Sequence, residues 1–210
     1  NTGTSAGFQV GAFINTDLYD VNPSSQNLVS GATTFVFTPV TAGTQTVMTQ
    51  AASLPAATSA YYTPTPVKVW WNSPAKLHLV VAGQSLRPGL PPYTSNPSTG
   101  GKIGTKADLM AGNTTQMAVY LTDNYYNVVS GTTPFLAVSS NNPIVQISFL
   151  NDANIQLRGM PPYPNPQRSL LNGTTTFNVV PVTRNQGVGL SVQVTDTGLA
   201  NESHFSTDTV

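Results

Sequence analysis

Two stretches of this 210-residue chain share one pattern. Leu28-Val-Ser-Gly-Ala-Thr-Thr-Phe35-Val-Phe-Thr-Pro39-Val-Thr41 returns as Leu170-Leu-Asn-Gly-Thr-Thr-Thr-Phe177-Asn-Val-Val-Pro181-Val-Thr183. Gly31 and Gly173, Phe35 and Phe177, and Pro39 and Pro181 each stand 142 residues apart. Solenoid turns repeat every 20 to 50 or so residues, so a period this long is a domain. The recurrence predicts tandem domains, with the first copy only partly contained in the chain.

Composition narrows the partners. Charged residues are 8% of the chain, and 8 Lys+Arg balance 8 Asp+Glu to a net charge of zero. The average soluble protein carries about 25% charged residues. A surface kept soluble by Thr, Ser, Asn and Gln has almost no long-range field, which argues against nucleic acid as a partner. There is no cysteine, which removes disulfides, thiolate catalysis and cysteine-ligated zinc. No run approaches the roughly 18 apolar residues of a membrane helix, so no membrane insertion is expected within this segment. The Thr-rich makeup with 17 Pro and 17 Gly suits an extracellular or cell-surface β-protein.

Period-two alternation is common and helical periodicity scarce, which predicts an all-β fold. Leu77, Leu79 and Val81 alternate with His78 and Val80, an arrangement that turns His78 outward. Met117, Val119 and Leu121 alternate with Ala118 and Tyr120. Further strands are expected at 135–139, 144–149, 174–180 and 188–194, separated by Pro, Gly and Asn clusters as in a β-sandwich.

The most complete unit opens with Ser73-Pro-Ala-Lys76-Leu-His-Leu-Val-Val81 and reaches Pro88-Gly89 and Ala111-Gly112. It continues through Val119-Tyr-Leu-Thr-Asp123-Asn-Tyr-Tyr-Asn127-Val to Ser139-Ser-Asn-Asn-Pro143. This order resembles the bacterial immunoglobulin-like (Big/invasin-like) tandem repeats of large surface proteins. Ala42-Gly-Thr-Gln-Thr-Val47 resembles that family's closing strand, from which Arg184-Asn-Gln-Gly-Val-Gly-Leu190 departs. The resemblance implies tandem immunoglobulin-like β-sandwich domains in an extracellular array and carries no catalytic residue.

The expected organisation is the C-terminal half of one repeat at 1–62, a Pro-containing linker at 63–73, a complete sandwich at 74–196, and a closing strand or linker toward a further repeat at 197–210. Phe13-Ile-Asn-Thr-Asp17 is read as the counterpart of Phe149-Leu-Asn-Asp152. Half a sandwich leaves an uncovered apolar face and a bare edge. Either the chain is an excerpt of a longer array, or a neighbouring subunit supplies strands by complementation.

Residues able to carry chemistry are few. His78 and His204 lack a local acid or nucleophile motif, and Asp17 with Asp20 is the one acid pair weighed as a carboxylate couple. No G-x-S-x-G, P-loop, H-E-x-x-H or EF-hand loop occurs, so the sequence predicts no enzyme, no cofactor and no catalytic residue. Asp123 and Asn127 flank a strand-end turn, where short carbonyl-bearing side chains bond turn amides. The rival reading is calcium held by Asp123, Asn124 and Asn127, three residues for an ion that takes six to eight or so oxygens. Trp70, Trp71, Tyr93, Tyr125, Tyr126 and Tyr163 are candidate binding or interface aromatics. Tyr93 and Tyr163 close two Gly-x-Pro-Pro-Tyr loops. Asn113, Asn172 and Asn201 head N-x-[ST] sequons.

Three functions are compatible with these features. The leading expectation is a structural repeat segment of an extracellular fibre, stalk or sheath, its partners neighbouring repeats or identical subunits. The alternatives are an adhesin whose loop aromatics grip polysaccharide or another cell surface, and a filament subunit completed by strand exchange.

Overall fold

The computed structural model describes residues 9–51, 64–94, 99–131, 143–152, 154–158, 166–183 and 189–198, and the backbone of 208–209. Every regular element among them is a β-strand. The chain divides into two units, Asn1–Trp70 and Trp71–Val210.

Unit 1 holds β1 (Gln9–Ile14), β2 (Gln26–Asn27), β3 (Gly43–Ala51) and β4 (Thr65–Val69) in one antiparallel sheet, ordered β2-β1-β3-β4. Thr65–Val69 falls in the stretch expected as a linker. It is a paired strand, with Thr65 opposite Val47 and Val69 opposite Gly43. Pro66 fits there because β4 is an edge, where a missing N–H need not break a ladder.

Unit 2 contributes β5 (Lys76–Val80), β6 (Ser85–Leu86), β7 (Lys102–Ile103), β8 (Thr115–Thr122), β9 (Ile144–Phe149), β10 (Gln156–Leu157), β11 (Gln167–Ser169), β12 (Thr174–Val180), β13 (Val192–Asp196) and β14 (Asp208–Thr209). They form two four-stranded antiparallel sheets, β10-β12-β8-β5 and β11-β9-β13-β14, with β6 and β7 as a small ladder. The alternating residues Met117, Val119 and Leu121, Phe177 and Val179, Val145, Ile147 and Phe149, and Val192 and Val194 are all buried. The guanidinium of Arg168 on β11 lies 5.9 Å from the Phe177 ring on β12, linking the two sheets in a sandwich-like arrangement.

The second of these sheets repeats the sheet of unit 1 strand for strand. Val10 faces Gln26 as Val145 faces Arg168. Asn15 N–H donates to Thr46 O as Leu150 N–H donates to Ser191 O, both at 3.0 Å. The recurring turns match as well. Val29 and Ala32 exchange two backbone hydrogen bonds, as do Leu171 and Thr174. The central residues are left-handed in both: φ is 53° and 80° at Ser30-Gly31, and 51° and 73° at Asn172-Gly173. That conformation is the two-residue hairpin turn whose twist suits antiparallel strands.

Two expectations are corrected by this geometry. The counterpart of Phe149 is Ile14 and not Phe13, which aligns Asp17 with Asp152 without a gap. A one-residue slip moves a side chain to the opposite face. Ala12 and Ile14 are buried accordingly, while Phe13 is half-buried. The stretch 33–38, the counterpart of 175–180 in β12, is not a strand, and no described residue plays the part of β8 beside it. His78 does not point outward: all of β5 is buried, since its second face is covered by the Tyr126 ring. The expected strand at 135–139 and residues 184–188 of the last hairpin lie outside the described residues.

The two matched glycines separate conformational strain from steric conflict. A Cβ on Gly173 would lie 2.1 Å from Val129 O, whereas one on Gly31 meets nothing within 4 Å. Both alanine variants bear the left-handed penalty of about 1–2 kcal/mol, and Gly173→Ala is expected to lower the urea midpoint of its unit well beyond that. Equal losses at the two positions would contradict the assignment.

Candidate functional site

Polar and aromatic side chains converge where β8 ends. Asp123, 1% exposed, directly follows Thr122, the last residue of β8, and its carboxylate organises the turn. Oδ1 accepts from Tyr125 N at 2.8 Å and Asn127 N at 2.9 Å. Oδ2 accepts from Asn127 Nδ2 at 2.9 Å and from Asn72 N at 3.0 Å. Asp123 N–H closes the turn on Asn127 O at 3.0 Å. A buried carboxylate accepting four N–H groups is satisfied without a metal.

The turn drives Tyr126 to φ 64° and sends its ring into the interior, fully buried. Its hydroxyl donates to Pro92 O at 2.7 Å. The His78 ring packs 4.9 Å away, and the Lys76 ammonium sits 4.4 Å over the Tyr126 face. That ammonium also donates to Asn124 O at 3.1 Å. A Cβ on Gly101 would lie 2.4 Å from Tyr126 Cγ, so glycine is required for the loop to press on the ring. With a lysine already at the Asn124 carbonyl, the set Asp123, Asn124 and Asn127 is a turn staple carrying its own cation, unsuited to calcium.

Burial sets the protonation of this cluster. His78 is pushed down from 6.5 to about 3, first by desolvation and then by Lys102 and Lys76, with a backbone hydrogen bond to Gly101 opposing. Its imidazole is therefore neutral at physiological pH. Burial lowers Lys76 from its ordinary value, opposed by the Asp123 charge. In unit 1, Asp20 is raised by burial and by Asp17.

Asp17 and Asp20 do not form a catalytic couple of two free carboxylates. Asp17 Oδ2 accepts from Val40 N at 2.7 Å and Thr41 N at 2.9 Å, and Oδ1 accepts from the Thr41 hydroxyl at 2.8 Å. Its counterpart Asp152 accepts from Asn154 N at 3.0 Å and Thr183 N at 3.4 Å. These carboxylates tie loops together in both units.

Of the candidate aromatics, the structure gathers three: Tyr93 meets Tyr125 edge-on at 4.9 Å and Tyr126 at 6.3 Å. Tyr126 and Trp71 are buried and present no surface to a ligand. Trp70 remains 37% exposed, with the Lys68 ammonium 5.2 Å from its ring, and Tyr93 is 36% exposed. Asn113 and Asn172 are exposed, so both sequons are sterically open. Tyr163, Asn201 and His204 lie outside the described residues. Sequence reading missed the burial of Lys76 and its seat on Tyr126, for which no sequence signal exists beyond the lysine opening an apolar strand. It also missed a cavity of about 660 Å³ lined by Val81, Leu109, Met117, Asp152, Thr183 and Leu190 among others. Among the described residues no three His, Cys, Asp or Glu side chains group as metal ligands, and no helix is long and apolar enough to cross a membrane.

No family model and no curated protein matches this chain. A solved structure with some likeness is the apo form of a β-glucuronidase 3 from Bacteroides uniformis, at 11% identity and a TM-score of 0.37. The likeness covers 96% of this chain and 20% of that one. That protein is an enzyme, so the expectation of a non-enzyme is withdrawn, while a likeness this slight transfers no activity to the present chain.

Asp123→Ala would strand several amides in the interior at about 1–3 kcal/mol each. A loss of at least about 3 kcal/mol in urea unfolding is expected, with a midpoint unchanged by millimolar calcium in either protein. His78 gives a pH signature. Between 6.5 and about 3 the unfolded chain binds a proton that the folded chain refuses. Stability therefore falls as pH falls through that window, by at most about 1.4 kcal/mol per pH unit from this residue. His78→Gln should show a shallower decline in unfolding free energy from pH 7 to pH 4 than the parent protein, and parallel curves would refute the assignment.

Proposed function

We propose that the chain is a structural repeat segment of an extracellular or cell-surface fibre, stalk or sheath, built from immunoglobulin-like sandwiches of the Big/invasin type. The observation that carries this reading is the duplicated sheet, β2-β1-β3-β4 and β11-β9-β13-β14, with matched turns and matched loop-tying aspartates. Duplicating a self-contained sheet extends a protein without inventing a new site, which is how modular arrays accumulate length. The small number of charges leaves little for pH or salt to act on, which suits exposure to a variable exterior. In this reading the partners are neighbouring repeats, and the staple at Asp123 serves rigidity.

Exposed Trp70 and Tyr93 keep an adhesive role open to test, since exposed aromatics stack on sugar rings. The decisive measurement is gold-labelled antibody raised against residues 1–210 and applied to intact source cells. Labelling without permeabilisation, on rod-shaped or beaded material, is the expected result. Labelling that appears only after permeabilisation would overturn the proposal.

A further inference from the structure

Unit 1 contains an apolar face that its duplicate shows in covered form. The recurring segment in unit 2, β12, lies in the sandwich with Phe177 and Val179 fully buried. Its neighbour β8 pairs with it antiparallel, Thr175 opposite Val119, Phe177 opposite Met117 and Val179 opposite Thr115. In unit 1 the matching residues are Thr33, Phe35 and Phe37, all only half-buried, with the Phe35 and Phe37 rings 6.5 Å apart. Along 33–38 exposure alternates residue by residue, so the segment already has the side-chain parity of a strand. Among the described residues no strand pairs with it. The turn that launches it, Ser30-Gly31, has the same bonds and the same left-handed geometry as Asn172-Gly173, so the edge leaves the turn in the same conformation.

From this we infer that residues 33–38 form an acceptor edge for an extended polypeptide segment of the β8 pattern, with apolar side chains at alternate positions facing Phe35 and Phe37. The inference rests on the duplicated sheet alone and is independent of an extracellular location. The register follows from the duplicate: Thr33 opposite the residue equivalent to Val119, Phe35 opposite Met117, Phe37 opposite Thr115. So does the set of bonds. Leu121 N–H donates to Gly173 O at 2.8 Å while Thr122 O accepts from Ala75 N on the β5 side. Odd-numbered residues of β8 thus point their amides toward β12, and odd-numbered residues of β12 point theirs back. Carried to unit 1, the amides of Thr33, Phe35 and Phe37 face the incoming strand, and those of Thr34 and Val36 face away.

The test uses the full 210-residue chain and a synthetic peptide with the sequence of Asn113–Asp123. Amide hydrogen exchange, read residue by residue, should slow by at least about tenfold at Thr33, Phe35 and Phe37 when peptide is saturating, with Thr34 and Val36 unchanged. A peptide in which Met117 and Val119 are both replaced by Asp should give no protection. Phe35→Ser in the protein should abolish uptake while leaving exchange within β8 and β12 of unit 2 as in the parent, which separates loss of the edge from general unfolding. Protection of Thr34 and Val36 in place of their neighbours would overturn the register. Protection that appears without peptide and grows with protein concentration would overturn the occupant in favour of a second copy of the chain. No change at any of the five amides would overturn the inference altogether.

Discussion

A strand cannot satisfy its own backbone. Each N–H and C=O that leaves water needs a partner on a neighbouring strand, and this requirement decides where the present sequence is sheet and where it is not. The stretch beginning Thr174-Thr-Thr-Phe is a strand because β8 lies beside it. The stretch beginning Ala32-Thr-Thr-Phe has the same turn, the same aromatic and the same terminating proline, yet is irregular, with no such neighbour among the described residues. Nearly identical residues reach two states, and the difference lies in what stands next to them. Local propensity supplies the alternation of faces, and pairing converts it into a ladder.

The same dependence explains what could be read from the sequence. Strands with one polar face, such as β8 and β9, show in their period-two pattern, and β9 and β12 fall at the expected residues. The recurrence of Leu28–Thr41 is legible because Gly31 and Gly173 fill the same left-handed turn position, which glycine adopts without steric cost, and fix the register of the residues around it. β4 escaped notice because Pro64 before it and Pro66 within it mimic a spacer, and only its partner β3 reveals it as an edge. His78 was misread for a related reason. Alternation reports which side chains differ in polarity, and it cannot report that the turn after β8 lays the Tyr126 ring over the second face, with Gly100-Gly101 pressed against it. The one-residue slip at Phe13 arose because Phe and Ile are both apolar, whereas Asp17 and Asp152, through the amides they bind, give the alignment its true anchor.

The polar residues of the strand-end cluster follow a consistent logic. Asp123 is buried with four donors around it, and Lys76 lies on an aromatic face with a carbonyl at its head. Each charge is compensated where it is buried, and the pair remains close enough for the carboxylate to favour the ammonium. In a chain with 16 acidic and basic residues in all, two are committed to one turn. That concentration fits a role in fixing the end of β8, since a turn held by buried charge-assisted bonds cannot loosen without exposing them.

The register of unit 1 has a mechanical consequence. β1 and β4 flank β3 on opposite sides and run in the same direction, because each is antiparallel to it. Gln9 lies beyond the Ala51 end of β3, while Val69 sits opposite Gly43 at the other end. Tension that enters at Gln9 and leaves after Val69 is directed along the strands, crosswise to their hydrogen bonds. Such a load is borne in shear by the whole of both ladders together, and the sheet resists extension as a glued lap joint does, with no single bond at the end obliged to give way first.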